Sequence, residues 1–373
     1  MKLIEQGALN RGKLSQLAVR LGIGERYLRK LFERELGVSP HAIALNQRLL
    51  FARKLLLETS LTATEIAFSA GFGSVRRFNS AIQRQFRQTP TELRRTSKRD
   101  VAGEGIRLLL HYRPPYDWQG VVKFLGRHTV EGVERVDSKG YHRNLLLDGY
   151  PATVDIKPMN NRNALELVYR APNHNMLMPV VAAVRRMFDL DANPAAIAAT
   201  LSAEPTLASL ITQFPGIRSP GSFSIFESAV RAIVGQQVST DAARTICSRF
   251  AGATSNADFP VFPTAHDLAH LDDSHFPMPN RRRETLKQLS QKFSEREEEL
   301  DLATLGDLQG VGPWTVAMVA IRGVGEPDAF PATDLGLKKA WERSGHKPET
   351  LQQHSEHWQP WRSYAANLLW RSL

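Results

Sequence analysis

Between Leu308 and Lys338 the chain reads LQGVGPWTVAMVAIRGVGEPDAFPATDLGLK, and two features in it can do chemistry together. Gly310, Val311 and Gly312 spell a tight turn at the head of an apolar stretch, Trp314 to Ile321, expected to be helical. Glycines let backbone amides approach a phosphate closely, and a helix N-terminus favours negative charge. Asp334 follows Gly312 by 22 residues (312 to 334), just past Phe330-Pro331. A carboxylate at a fixed distance beyond a phosphate anchor can act on a nucleotide held by that anchor. The Gly-Val-Gly turn alone carries little weight, because such turns also open ordinary helices.

The whole segment resembles the helix-hairpin-helix DNA glycosylases. Their pattern runs Leu-x-Gly-Val/Ile-Gly-x-x-Thr-Ala, then a Pro-x-x-Asp-type segment with the catalytic aspartate. Here the matching residues are Leu308, Gly310, Val311, Gly312, Thr315-Val316-Ala317 and Asp334. Members that also cut the DNA backbone carry a lysine nucleophile two residues after the second glycine. Trp314 stands there, so the resemblance implies a monofunctional enzyme.

Charge along the chain points to a partner for the first hundred residues. Residues 1–100 hold 19 Lys and Arg against 8 Asp and Glu, a net +11, whereas residues 101–373 hold 29 against 30, a net −1. A basic, folded segment of that size fits nucleic acid, although surplus charge also serves solubility. The full 373 residues are enough for two or three domains with real cores. A hydrophobic content of 42% with 23% charged residues is that of a soluble globular protein. No apolar run approaches the ~18–20 residues that cross a bilayer, and the N-terminus lacks a signal-peptide core. The expected location is therefore cytoplasmic, associated with the nucleoid, with no membrane partner. One cysteine, Cys247, excludes an internal disulfide and a cysteine-rich zinc site; it reads as a buried bystander on a helix.

An internal repeat organises the basic segment. Ala18 pairs with Ala67, Gly22 with Gly71 and Gly24 with Gly73; one inserted residue later, Leu28 pairs with Phe78, Phe32 with Ile82, Leu36 with Phe86 and Pro40 with Pro90. Each copy predicts a short helix, a glycine turn and a longer amphipathic helix, the helix-turn-helix unit. The stretch His41–Ser60 reads as one connecting helix with Ile43, Leu50, Ala52 and Leu56 among its apolar positions. This arrangement resembles the AraC-type DNA-binding domain. Its second-half signature is carried by Ala70-Gly71-Phe72-Gly73-Ser74, Phe78, Ile82, Phe86, Pro90 and Arg94; Ile82 and Arg87-Gln88 replace the usual Phe and Gly. Candidate groove contacts are Arg26, Arg29 and Lys30 on one recognition helix, and Arg76, Arg77 and Asn79 on the other, each as readily bound to phosphate as to a base.

After a polar, glycine-bearing stretch at residues 98–105, strand-like LLL and ATVDI segments with one helix give way at Met178 to helices that run to the end. NNRN reads as a turn, and Asn193-Pro194 as a helix start. From residue 106 onward the chain resembles bacterial 3-methyladenine DNA glycosylase II (AlkA type) through RPPYDW, MFDLDANP, FESAVRAIVGQQVS, the hairpin and HWQPWRSYAANLLW. The combination resembles regulator–glycosylase fusions of the adaptive response to alkylation. Those often begin with a methyl-accepting zinc domain; this sequence starts after its expected end and lacks the Pro-Cys-His-Arg motif of alkyltransferases.

Excising a base requires flipping the nucleotide into a pocket, and the resemblance gives each part a candidate. The amides of Gly310, Gly312 and Thr315 hold a phosphate, and the carbonyls of Gly306, Leu308 and Val311 hold a structural Na⁺ or K⁺; no cofactor is otherwise required. Gln237 aligns with the intercalating wedge, where Leu is usual, and Gln236 beside it joins the DNA contacts. Trp314, Trp370 and Phe124 match aromatic pocket positions, and electron-rich faces attract a cationic methylated purine. Met318 replaces a pocket tyrosine. Asp334 stabilises an oxocarbenium ion, deprotonates water, or both. Asp328 reads as a loop solvating group, Arg281-Arg282-Arg283 as a phosphate contact or a solvated helix start, Glu295–Glu299 as an exposed helix face and HWQPWRS as packing.

The expected protein is multidomain: an all-α double helix-turn-helix domain (1–97), a linker (98–105), a small α+β domain (106–190) and an all-α helix-hairpin-helix glycosylase domain (191–373). Its expected activity is hydrolytic removal of 3-methyladenine and 7-methylguanine type bases in base-excision repair. The alternative is a transcription regulator whose glycosylase-like domain only binds or senses damage. Expected partners are double-stranded DNA with alkylated bases and, through the regulator domain, RNA polymerase; the chain is expected to be a monomer.

Overall fold

A computed structural model describes residues 2–5, 8–95, 105–254, 258–295 and 302–373. It separates into two compact units: Met1–Leu109 with Leu146–Asp155 and Glu166–Ala183, and Leu110–Leu145 with Ile156–Leu165 and Val184–Leu373. Residues 98–104 of the expected linker and 296–299 of the expected helix face lie outside the described residues.

In the first unit the repeat folds as its spacing predicts. Helices Leu14–Arg20 and Glu25–Leu36 flank a turn with Gly22 at φ +65°, and Ala63–Ser69 and Val75–Phe86 flank one with Gly71 at φ +78°. These backbone values favour glycine. A capping box between Thr62 and Glu65 starts the third helix, and Ser74 Oγ accepts from Arg77 N at the start of the fourth. Phe78 and Ile82 are fully buried, so isoleucine fills the place of the usual phenylalanine. The second departure is strained: Arg87 ends its helix at φ +56°, where the first copy has Gly37 at φ +67°. Between the pairs, helix Pro40–Glu58 buries Ala44, Leu49, Phe51, Ala52, Leu55 and Leu56. Leu50, expected on the apolar face, is 48% exposed, because the stripe follows positions 49, 52 and 56. The last turn of this helix is tied down where Glu58 accepts from Leu109 N at 3.0 Å.

Strands β1 (Ile106–His111), β2 (Glu134–Asp137), β3 (Gly140–Leu147), β4 (Tyr150–Pro158) and β5 (Ala164–Arg170) form a sheet in the order β1-β5-β4-β3-β2. The β2–β3 pair is antiparallel, with Glu134 opposite Arg143 and Val136 opposite Tyr141. Burial alternates along β3 and β4, as one buried face requires. Asn160–Asn163 lie in the turn before β5, and β2 carried too short an apolar pattern to be read from sequence.

Beyond residue 171 the described chain is helical. Asn193 caps helix Pro194–Leu201 by accepting from Ala196 N. Buried clusters hold the second unit, two of them in its helical part. One centres on Phe226, Val230, Phe250, Leu289 and Val319, the other on Trp341, Trp358, Leu368 and Leu369. Cys247 belongs to the first; burial pushes its thiol up to about 11, so it is an inert core residue. The helix expected at Trp314–Ile321 runs Pro313–Val319 and continues as a π-turn, Ala320–Val324. Ser222 N donates to the Arg322 carbonyl at 2.7 Å, drawing that carbonyl out of the helical ladder.

Candidate active site

Helix Ile225–Val234 carries Glu227, buried, and Arg231, half-buried, one turn apart, and both join an ion network with β2 and β3. Arg143 Nη2 lies 2.5 Å from Glu227 and its Nη1 3.2 Å from Glu134, while Arg231 Nη2 lies 2.5 Å from Glu134 and 2.7 Å from Glu227. Burial pulls the Glu227 carboxyl upward, but Arg143 and Arg231 outweigh it and hold it below its ordinary value. Breaking such a network by removing one partner costs about 3–5 kcal/mol, so it fixes the helix and the turn that follows it.

That turn is Gly235-Gln236-Gln237. Gln237 sits at φ +57°, a left-handed conformation that costs a non-glycine residue about 1–3 kcal/mol and persists where the surroundings enforce it. The enforcement is next to it. Gln236 Nε2 donates to Gly310 O at 3.1 Å and to Thr315 Oγ1 at 2.9 Å, bracing this turn against the glycine hairpin. The amide nitrogen of Gln236, counted among the DNA contacts, is thus engaged within the protein. In the hairpin, Gly310 has φ +88°, and a Cβ there would fall 2.3 Å from Thr285 Oγ1, so glycine is required twice over. Gly312 is exposed and caps helix Pro313–Val319, whose first-turn amides, Thr315 among them, have no acceptor one turn back. Leu308 O accepts from Val311 N at 3.0 Å, and a carbonyl oxygen keeps a second lone pair. Among the described residues no group of three or more His, Cys, Asp or Glu gathers as a metal site.

Asp334 is the N-cap of helix Leu335–Arg343 and accepts from Leu337 N at 2.9 Å. The same Oδ1 accepts from Trp370 Nε1 and Oδ2 from Trp314 Nε1, each at 2.9 Å. The two tryptophans named as pocket walls therefore also aim the carboxylate, which a sequence pattern does not show. Asp334, Trp314, Trp370, Phe124, Met318, Gln236, Gln237, Gly310, Gly312 and Thr315 all line one cavity of about 1290 Å³. Gly306, Leu308 and Val311 do not line it. Arg26, Arg29, Lys30, Arg76, Arg77 and Asn79 are exposed on the recognition helices of the other unit, with Arg29 paired to Glu25 at 2.6 Å.

Among the lining residues that the sequence did not point to, three stand out. Leu335, next to Asp334, is 81% exposed. His128 tilts against Phe124 with ring centroids 4.3 Å apart, and burial lowers its imidazole to about 4, so it is neutral. Arg322 is buried with its guanidinium against Phe124 and Trp370. A lone arginine in the apolar run Val316–Val324 was the available signal. Asp328, read as a solvating loop residue, instead makes a two-pronged ion pair with Arg362 at 2.9 and 2.8 Å, because its loop packs against helix Arg362–Arg371. Of the three arginines at the start of helix Asn280–Glu295, Arg281 and Arg282 line the cavity and Arg283 pairs with Asp273 at 3.3 Å.

Comparison with known proteins divides the chain in three. Residues 17–96 match a helix-turn-helix domain, 107–224 the AlkA N-terminal domain, and 230–362 the HhH-GPD superfamily base excision DNA repair proteins. The chain is 36% identical over 395 residues to a Mycobacterium tuberculosis protein named probable bifunctional transcriptional activator/DNA repair enzyme AlkA, spanning all of this chain and 79% of that one. It is 32% identical over 277 residues to DNA-3-methyladenine glycosylase 2 of Escherichia coli K12, covering 70% of this chain and 95% of that one. The 3-methyladenine DNA-glycosylase structure from Archaeoglobus fulgidus shares the fold, with a TM-score of 0.61 at 21% identity over 71% of this chain and 97% of that one.

Proposed function

Because the chain belongs to the AlkA-type DNA-3-methyladenine glycosylases of the HhH-GPD superfamily, joined to a helix-turn-helix domain, we propose that it excises alkylated bases from double-stranded DNA by hydrolysis. One observation carries the reading: the Asp334 carboxylate is fixed by the indole N–H groups of Trp314 and Trp370 at the edge of a cavity large enough for a flipped nucleotide. Cleavage of the glycosidic bond builds positive charge on the sugar, and a pre-oriented carboxylate stabilises that charge without reorganising. With both oxygens engaged as acceptors, Asp334 is better placed as an electrostatic partner of the sugar than as a proton carrier. Trp314 occupies the place of a lysine nucleophile, so the product is an intact abasic site.

The remaining roles follow the same reading. Amides of Gly310, Gly312 and Thr315 hold a backbone phosphate, and a Na⁺ or K⁺ ion on the carbonyls of Gly306, Leu308 and Val311 adds positive charge beneath it. Gln237, projected from a strained turn that Gln236 braces, fills the space left by the flipped base. Phe124, Trp314, Trp370 and Met318 enclose the base. Residues 1–97 act as a separate DNA-binding domain through Arg26, Arg29, Lys30, Arg76, Arg77 and Asn79, and as a regulator domain they offer a surface to RNA polymerase; the chain works as a monomer. No helix among the described residues is long and apolar enough to cross a membrane. The test is release of 3-methyladenine and 7-methylguanine from methylated duplex DNA under single-turnover conditions. Tight DNA binding without base release would leave the damage-sensing regulator as the function.

A further inference from the structure

Arg322 is 8% exposed, yet among the described residues no carboxylate forms an ion pair with it. Its Nη1 donates to Pro220 O at 2.6 Å, and its buried Nε has no acceptor among the described residues. The guanidinium carbon lies 4.2 Å from the Phe124 ring centroid and 5.0 Å from that of Trp370. Burial pulls the group down to about 9, with Asp334 and Asp189 pulling it back up, so it stays cationic at neutral pH. Phe124, Trp370, Arg322 and Asp334 line the same cavity. The aromatic faces expected to attract a cationic base therefore already hold a cation.

We propose that Arg322 is a specificity-determining residue that favours expulsion of bases which leave as anions over bases which leave neutral. The inference rests on the glycosylase reading of this cavity. In either case the C1′–N bond breaks with its electron pair going to the base, and water adds to C1′ and gives up one proton. A formally cationic 7-methylguanine takes the pair and leaves neutral. A neutral purine such as hypoxanthine takes the pair and leaves as an anion that picks up the released proton. A buried guanidinium a few ångströms away stabilises the second transition state and opposes binding of the first base, because charges at short range in a water-poor cavity interact strongly.

The experiment compares single-turnover release of 7-methylguanine and hypoxanthine from matched duplexes by the wild type, Arg322→Met and Arg322→Lys, with a thermal melt of each. Arg322→Met should slow hypoxanthine release at least tenfold more than 7-methylguanine release, and Arg322→Lys should keep most of the wild-type ratio. A merely structural arginine would slow both substrates alike, and an unchanged ratio in a folded Arg322→Met overturns the proposal. If Arg322→Met fails to fold, a folded Arg322→Lys that loses the ratio overturns it and one that keeps the ratio supports it. A wild type that releases only the cationic base also overturns it. A wild type that releases neither base sinks the glycosylase reading itself, an outcome distinct from an active enzyme with an unmoved ratio.

Discussion

Replacing Asp334 by asparagine separates charge from shape, and the structure sets the size of each effect. The carboxylate accepts three hydrogen bonds: Leu337 N and Trp370 Nε1 on Oδ1, and Trp314 Nε1 on Oδ2. An amide has one oxygen. Placed on the Oδ1 side it keeps two of the three, and its nitrogen then faces the Trp314 N–H, donor against donor. An unpaired buried donor costs about 1–3 kcal/mol, and half-buried Trp314 can turn toward water, so about 1 kcal/mol of stability is lost. Asparagine caps a helix as well as aspartate, so the helix start adds nothing to that loss. Removing the negative charge from a developing oxocarbenium ion should cost about 3–4 kcal/mol, or about 10²–10³ in rate. The assay is single-turnover base release at saturating enzyme, with a thermal melt and a DNA-binding isotherm on the same preparation. Slow release with nearly native melting and unchanged DNA affinity is expected. Near-wild-type release would assign the chemistry elsewhere and refute the reasoning.

Four further outcomes are expected. Borohydride should trap no covalent enzyme–DNA adduct, since Trp314 stands in place of a lysine; an adduct, or strand cleavage without added base, would refute the monofunctional assignment. Changing Arg26, Lys30, Arg76 and Arg77 together to alanine should weaken binding to any duplex and reduce the slope of log affinity against log salt by ~0.9 per lost phosphate contact; an unmoved slope would mean these exposed side chains do not meet DNA. Arg87→Gly should raise stability by about 1 kcal/mol, by relieving a left-handed residue at some cost in chain entropy, with a denaturant midpoint as the measure. Asp189, at φ +51°, accepts from Ser219 N and Tyr364 OH and is pushed by burial up to about 7. The folded state therefore favours the protonated carboxyl, and the contribution is full below an ordinary aspartate's range and lost as pH rises to 7. Asp189→Asn should flatten the melting temperature between pH 4 and 7, and an unchanged profile would place Asp189's proton elsewhere.

The two helix-turn-helix units, the helical C-terminal half and the glycine hairpin were legible in the sequence because local rules govern them. Gly22 and Gly71 must take positive φ, Asn193-Pro194 must start a helix, and a repeat of apolar positions 49 and 50 residues apart must fold alike. Asp334 was legible for the same reason, as a carboxylate at a set distance from Gly312. What the chain's own order could not show is how groups far apart in it share one space. Glu227, Arg231, Glu134 and Arg143 look like four ordinary surface charges until β2, β3 and helix Ile225–Val234 bring them together. The short strand β2 becomes readable only through its antiparallel register with β3. Trp314 and Trp370 could be named as aromatic, but their N–H groups converge on Asp334 only because three helices meet there. Leu50 faces outward although its type argued for the core, since neighbouring positions already fill the stripe. Arg322 is the sharpest case. Its side chain type says surface, and only the packing of Phe124, Trp370 and Pro220 around it decides that a cation lies buried at the wall of the cavity. Hydrogen bonds to the next turn and backbone angles are fixed by a few adjacent residues, whereas burial and electrostatic coupling depend on which distant elements pack together.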